Sequence, residues 1–414
     1  MSAYLSLLRR NPDFRKAFAA DLLSLGSDWF AIIPLLTILP KLTGSGLLGG
    51  LVLGTDTAVV ALLAPYAGTI ADRFDRRRIL IMANLSSAVA VMLLLLVHSA
   101  ATAWIALAAV GAVAVAKAFY APASAAALPN LVDPEDLPAA NVLAGSAWGT
   151  MLVIGASLGG ILAQVIGNDG CYLLDTALLL VAAVLTMLVR RPFQADGHGA
   201  RHHGTGKALA EAVVYIRGDA RVRALVTVKS AVGVGNGSLT LFPLLATAVF
   251  HTGPLGTGLF YAARGLGALA GPLMLRGPLM RPGRLLIGLA ASMSLYGAAY
   301  LLFGLAPVFG VALVLVTVAH IAGGANWVLS NYALQQHVPD RLRGRVFSTD
   351  FMLATLAVTA SQVLAGVLSD SVNLRLLASA GGAATLVYAL VWTLLTGRAR
   401  REERAAAENV GATR

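Results

Sequence analysis

Val89-Ala90-Val91-Met92-Leu93-Leu94-Leu95-Leu96-Val97 is an unbroken apolar run. It ends a stretch, residues 79–98, that contains no Asp, Glu, Lys or Arg. A helix needs roughly 20 apolar residues to cross the hydrocarbon core of a bilayer. A barrel strand would alternate between lipid-facing and lumen-facing side chains, and this run has no alternation. It therefore reads as a membrane-spanning helix over 78–98. Eleven further segments read the same way, near 15–39, 46–71, 101–126, 138–165, 171–190, 221–249, 255–276, 284–304, 308–334, 346–368 and 373–397. They are numbered here as spans 1–12 in chain order, with 78–98 as span 3.

Composition agrees. Of 414 residues, 57% are hydrophobic and 12% charged, and mean hydropathy is +0.76. Soluble domains carry about 25% charged residues. The apolar content excludes a disordered chain, and a single Cys171 excludes a disulfide scaffold. The fold class expected is an all-α polytopic membrane protein of twelve transmembrane helices in two six-helix bundles.

The basic residues give the topology. With the N-terminus in the cytoplasm, 26 of the 31 lysines and arginines fall in cytoplasmic segments. Only Lys41 and Arg375 fall outside, and Lys117, Lys229 and Arg264 lie inside spans. This obeys the positive-inside rule and places both termini in the cytoplasm. The net charge of +11 is thus a topology signal spread over six segments, with attraction to anionic membrane lipid, and no nucleic-acid footprint. Arg9–Lys16 leads directly into a full-length span, so the N-terminus carries no signal-peptide pattern. Arginine outnumbers lysine 26 to 5, as in GC-rich bacterial genomes, and the expected location is a bacterial inner membrane.

The longest polar stretch, Arg190–Arg223, divides the chain into six spans and six spans. The expected domains are 1–190, a cytoplasmic linker 191–220, 221–397 and a cytoplasmic tail 398–414. Lys207–Arg217 has an apolar side built from Leu209, Val213, Val214 and Ile216, and reads as a short surface helix. His198, His202 and His203 stand in the linker without a Cys or carboxylate to complete a ligand set, so no metal site is assigned. There is no Gly-x-x-x-x-Gly-Lys-Ser/Thr loop to hold ATP and no His-Glu-x-x-His zinc pair. No cofactor and no enzymatic activity are expected.

The sharpest local motif is Gly68-Thr69-Ile70-Ala71-Asp72-Arg73-Phe74-Asp75-Arg76-Arg77-Arg78. It resembles the loop 2–3 signature of the major facilitator superfamily. Gly68 permits close helix approach, and Asp72 can face the positive end of another helix. Pro339-Asp340-Arg341-Leu342-Arg343-Gly344-Arg345-Val346-Phe347 resembles the segment before span 11 in the enterobactin-exporter and macrolide-efflux branch. Asn11–Arg15, Ser24-x-Gly26-x-Asp28-Trp29 and Ala262–Ala268 are similar to that branch as well. The resemblance implies a gate formed by Gly68, Asp72, Arg73, Arg76 and Arg345. In it, Asp72 latches the cytoplasmic side against the helix that starts near Arg345. In span 5, Gly155-Ala156-Ser157-Leu158-Gly159-Gly160 resembles the antiporter motif. Ala156 replaces its usual Pro, and Met151 stands where an earlier Gly is common.

Ionisable residues inside spans are costly and are functional candidates by default. Asp28 is the leading proton-coupling candidate, with Asp56 and with Asp21 seven residues before Asp28 on the same helix face. Lys117, Lys229 and Arg264 are the expected cavity charges, the last two as switch partners for an acid. Asp175, near the outer end of span 6, reads as one half of a structural ion pair. Gly233, Gly235, Asn236 and Gly237 ahead of Pro243 predict a bent or broken span 7. Asn236, Asn326, Trp327 and His320 suit either a cavity for an amphiphile or ordinary packing between helices.

These readings converge on a monomeric proton-coupled exporter of hydrophobic or amphipathic small molecules that works by alternating access. The alternatives are movement of lysophospholipid between leaflets, with headgroups meeting Lys229 or Arg264, and a membrane scaffold without transport.

Overall fold

The computed structural model describes residues 3–194, 205–279 and 283–412. Every regular element among them is helical. Twelve helices are long and apolar enough to cross a membrane. They are Pro12–Thr43, Leu47–Ala64, Arg76–Leu96, Ile105–Leu131, Ala139–Val165, Gly167–Met187, Ala220–Val249, Gly253–Leu275, Leu285–Gly304, Phe309–His337, Arg345–Leu368 and Leu374–Leu395. These are spans 1–12 in the order expected from the sequence.

Local chemistry sets their ends. Asn11 precedes a proline at the first helical position, and its side chain accepts from the Phe14 N–H at 2.9 Å. Asp75 caps span 3 by accepting from the N–H groups of Arg77 and Arg78. Asp219 caps span 7 and Asn373 caps span 12 in the same manner. Span 1 stops at Gly44, whose φ of +70° closes the helix with a hydrogen bond back to Pro40.

The chain separates into two compact units, residues 1–202 with 251–262, and residues 203–250 with 263–414. In the first unit span 1 packs on spans 5 and 6, span 2 on span 4, and span 3 on spans 4 and 6. In the second unit span 7 packs on spans 11 and 12, and span 9 on spans 10 and 12. Each of these second-unit pairings repeats a first-unit pairing six spans earlier. Large apolar side chains such as Val89, Leu273 and Leu394 remain exposed on outer faces, as lipid-facing surfaces require.

Span 7 is broken, as its glycines predict. It runs as short helical pieces, Ala220–Thr227, Lys229–Gly235 and Ser238–Leu244, followed by a π-helical turn over Leu245–Val249. The surface helix after the linker spans Thr205–Gly218. His198, His202 and His203 lie outside the described residues. The tail forms the helix Gly397–Ala412. Its buried Glu403 accepts from the Leu286 N–H at 3.1 Å and pairs with Arg221 at 3.6 Å, which fastens the tail to the starts of spans 7 and 9.

Candidate functional site

The first unit gathers charge around one lysine. Asp28 on span 1 meets Lys117 on span 4, with Oδ1 to Nζ at 3.2 Å. The ammonium also donates to the Ser24 hydroxyl at 2.7 Å and to the Ser24 carbonyl. The Asp28 side chain is 32% exposed and that of Lys117 15%, so the pair is only partly enclosed. Asp56, on span 2, stands within electrostatic reach of both. Asp175, on span 6, is within reach of Asp28 and Lys117 and fully buried. One carboxyl is paired with the ammonium and two more feel its charge.

Asp175 is not half of an ion pair. Neither carboxyl oxygen makes a hydrogen bond of ordinary geometry among the described residues, although the Ser27 hydroxyl lies beside them. The sequence could show a charge in an apolar span but not the rotation of span 6 that turns it inward.

Asp21 lies seven residues before Asp28, about 10 Å along the helix axis at 1.5 Å per residue. Its carboxylate accepts from the Tyr120 hydroxyl at 2.6 Å and the Ser124 hydroxyl at 2.8 Å. Asp21 opens into a cavity of about 230 Å³ walled by Phe14, Phe18, Leu80 and Phe193.

The glycines of span 5 let this cluster form. A Cβ on Gly155 would meet the Trp29 ring at 2.7 Å, and one on Gly159 would meet the Trp29 carbonyl at 2.6 Å. A Cβ on Gly160 would meet the Pro254 carbonyl at 2.8 Å. Span 5 therefore lies directly on span 1 next to Asp28. The departure at Met151 is explained in the same place. Its sulfur would come within 3.1 Å of a Cβ on Gly26, so the small residue sits on span 1 and the large one on span 5.

The second unit holds its charges differently. Lys229 is fully buried and pairs with Asp350 on span 11, while it also donates to the Asn331 side chain at 2.7 Å. Its ammonium lies over the Trp327 ring at 5.6 Å. Lys229, expected as a switch partner for an acid, thus meets Asp350, a residue to which the sequence alone assigns no role. A signal was present, because Asp350 is the only charged residue in 346–368. Asn236, His320 and Asn326 are buried, each with a side-chain hydrogen-bond partner in the second unit. Asn236 accepts from the Tyr296 hydroxyl at 3.0 Å, His320 bonds the Tyr300 hydroxyl at 2.8 Å, and Asn326 donates to Ser292 at 3.1 Å. Arg264 lies within electrostatic reach of Tyr296 and His320.

Of the gate residues, the side chains of Gly68, Asp72 and Arg73 lie outside what is described. Arg76 donates to the Ala126 carbonyl at 2.8 Å and to the Ala71 carbonyl at 3.3 Å, which ties the loop between spans 2 and 3 to span 4. Arg345 pairs with Glu211 on the surface helix.

Comparison with known proteins places this arrangement. A model of the Major Facilitator Superfamily matches residues 22–349 and again residues 231–413. Macrolide efflux protein A of Streptococcus pyogenes is 22% identical over 367 residues, covering 87% of this chain and 90% of that protein. The multidrug efflux pump Tap of Mycobacterium tuberculosis is 26% identical over 394 residues, covering 88% and 89%. Among solved structures, a bacterial homolog of the human lysosomal transporter Spinster, inward-facing and occupied, has a TM-score of 0.75 at 14% identity, with 96% and 98% of the two chains covered. A POT family transporter in complex with a thioalcohol-conjugated peptide has a TM-score of 0.73 at 11% identity, with 93% and 96% covered. With twelve spans, two units of like packing and a match that covers nearly the whole chain, this protein belongs to the Major Facilitator Superfamily and is a multi-pass membrane transporter.

Proposed function

We propose that this transporter exports hydrophobic or amphipathic small molecules from a bacterial cell and is driven by proton entry. The observation that carries the reading is the ratio of acids to bases around Lys117. Asp28 pairs with the Lys117 ammonium in a membrane interior, and Asp56 and Asp175 lie within electrostatic reach of the pair. Isolated charges there are expensive, so the surplus carboxyls are neutralised by protons or by a cationic group on the substrate. Competition between a proton and a substrate for the same carboxylate is the minimum an antiporter requires. Asp28 fits the role best, because it is partly exposed and its partner Lys117 also has Ser24 to hold it when Asp28 is neutral. The match to two efflux proteins over almost the whole chain supports the outward direction.

Lipid movement with headgroups on Lys229 finds less support. That ammonium is enclosed and already satisfied by Asp350 and Asn331.

The test is growth. The protein is expressed in an efflux-deficient bacterium and challenged with a panel of toxic amphiphiles, with Asp28→Asn beside it. Resistance that disappears in the variant, at equal membrane abundance, supports the reading. Resistance unchanged in Asp28→Asn contradicts the proton role. No resistance to any compound would move the weight to lipid, which is assayed next with labelled lysophospholipid.

A further inference from the structure

The interior of the first unit contains more polar groups than its ion pair explains. Asp175, Asn84 and Ser87 are fully buried, and Tyr172 nearly so. Both Asp175 oxygens, Asn84 Nδ2, Ser87 Oγ and the Tyr172 hydroxyl make no hydrogen bond of ordinary geometry among the described residues. Spans 3 and 6, which carry these residues, pack against each other, and span 6 packs on span 1. Buried polar groups are nearly always satisfied, by protein or by internal water.

Beside Asn84 run two hydrogen-bonded groups, one around Lys117 and Ser24 and one around Tyr120 and Asp21. Lys117 joins Asp28 to the Ser24 hydroxyl. Ser24 donates to Asn84 Oδ1 at 2.8 Å. The Tyr120 hydroxyl lies against Ser24 and Asn84 and donates to Asp21 at 2.6 Å. Asp21 also holds Ser124 and ends in the cavity. At the other end, the hydroxyl of Ser27, the chain neighbour of Asp28, lies beside the Asp175 carboxyl.

We propose that these groups form a proton relay inside the first unit, with Asp175 as a buried proton-holding residue and Asp21 as its exit to the cavity. Water held by Asn84 Nδ2 and by the Asp175 carboxyl bridges the gaps in it. The proposal rests on the reading of Asp28 as the proton-carrying acid, and adds where that proton goes. In one passage the Asp21 carboxylate takes a proton from the Tyr120 hydroxyl and passes it to cavity water. Tyr120 is restored from the Ser24 hydroxyl once that hydroxyl turns from Asn84 Oδ1 toward it, Ser24 from the Lys117 ammonium, and Lys117 from protonated Asp28. Asp28 is then recharged from Asp175 through Ser27 and water. Each intermediate group gains one proton and loses one, so the net change is one proton moved. The charged and titratable groups facing Asp175 are Asp28 on span 1, Lys117 on span 4 and Cys171 on its own helix. No second base competes for it among them.

The test uses infrared difference spectroscopy of the purified protein in lipid, which needs no substrate. The carboxyl band of Asp175 is assigned by its loss in Asp175→Asn and its displacement in Asp175→Glu. The latter variant keeps an acid in place if the first fails to fold. The sample is then moved into D₂O. The relay predicts prompt exchange of that band while the amides of span 6 remain protonated. In Tyr120→Phe exchange slows by roughly a hundredfold, the scale of a lost proton-transfer group. Three results would overturn it: no Asp175 carboxyl band at any pH between 5 and 9 in the wild-type protein, exchange no faster than the span 6 amides, or exchange unaffected by Tyr120→Phe. Failure of the Asp28 reading is separable. It would show as pH-driven transport surviving in Asp28→Asn, whatever Asp175 does.

Discussion

Two lysines inside spans meet their acids in opposite settings. Lys117 and Asp28 form a partly exposed pair with two further carboxyls close by. Lys229 and Asp350 form an enclosed pair, with side chains 0% and 3% exposed. The enclosed pair is expected to be structural. Removing one partner strands the other charge, at a cost of about 3–5 kcal/mol. Lys229→Met alone should therefore lower the unfolding temperature sharply. Lys229→Met with Asp350→Leu should recover most of the loss, since replacing both charges by apolar groups is often neutral. A double variant as unstable as the single would contradict this. Asp28→Asn should behave differently, leaving thermal stability near wild type because Lys117 keeps Ser24 and water. The charges themselves were legible in the sequence, because any ionisable residue stands out in an apolar run. Their pairing was not. Asp28 and Lys117 are far apart in the chain, and the rotation that faces them together is set by neighbouring helices.

At the scale of the helix, glycine decides how close two spans approach. A side chain on Gly159 would strike the Trp29 backbone, and one on Gly237 would strike the Ser361 carbonyl at 2.7 Å. Gly159→Val should separate spans 1 and 5. The expected cost is about 1–3 kcal/mol for overpacking, together with weakened transport because moving span 1 shifts Asp28 relative to Lys117. Thermal unfolding and dye efflux of the variant check this, and full stability with full transport would argue against the contact. The span count and the broken span 7 were legible from apolar run length and from the Gly-Asn-Gly cluster. The purpose of the glycines was only half legible. In span 7 they mark a break, yet Gly233 and Gly237 also serve as contact points for span 11, and Gly235 receives the ring of Tyr296.

For the whole molecule, the repeat was nearly invisible in the sequence but is plain in the packing. Spans 1, 3, 4, 5 and 6 and spans 7, 9, 10, 11 and 12 use the same pairings although their residues differ. Apolar contacts between membrane helices constrain size more than identity, so pattern outlasts sequence. The topology expected from the basic residues is directly testable. Cys171 is buried and is the only cysteine, so Cys171→Ala gives a clean background. Exposed positions Lys41 and Asp370, replaced by Cys, should react with an impermeant maleimide in intact cells. Arg78→Cys and Arg398→Cys should react only after permeabilisation. The reverse pattern would invert the protein in the membrane.

The account turns on proton drive through Asp28. The most direct measurement reconstitutes the purified protein in liposomes, imposes a pH gradient without added ATP, and follows a fluorescent amphipathic cation such as ethidium, with wild type and Asp28→Asn side by side. The account predicts uphill dye movement that collapses when the gradient is dissipated and is absent in Asp28→Asn, while the variant still equilibrates dye down its own gradient. Uphill movement that persists in Asp28→Asn, or wild-type movement indifferent to the pH gradient, would contradict it.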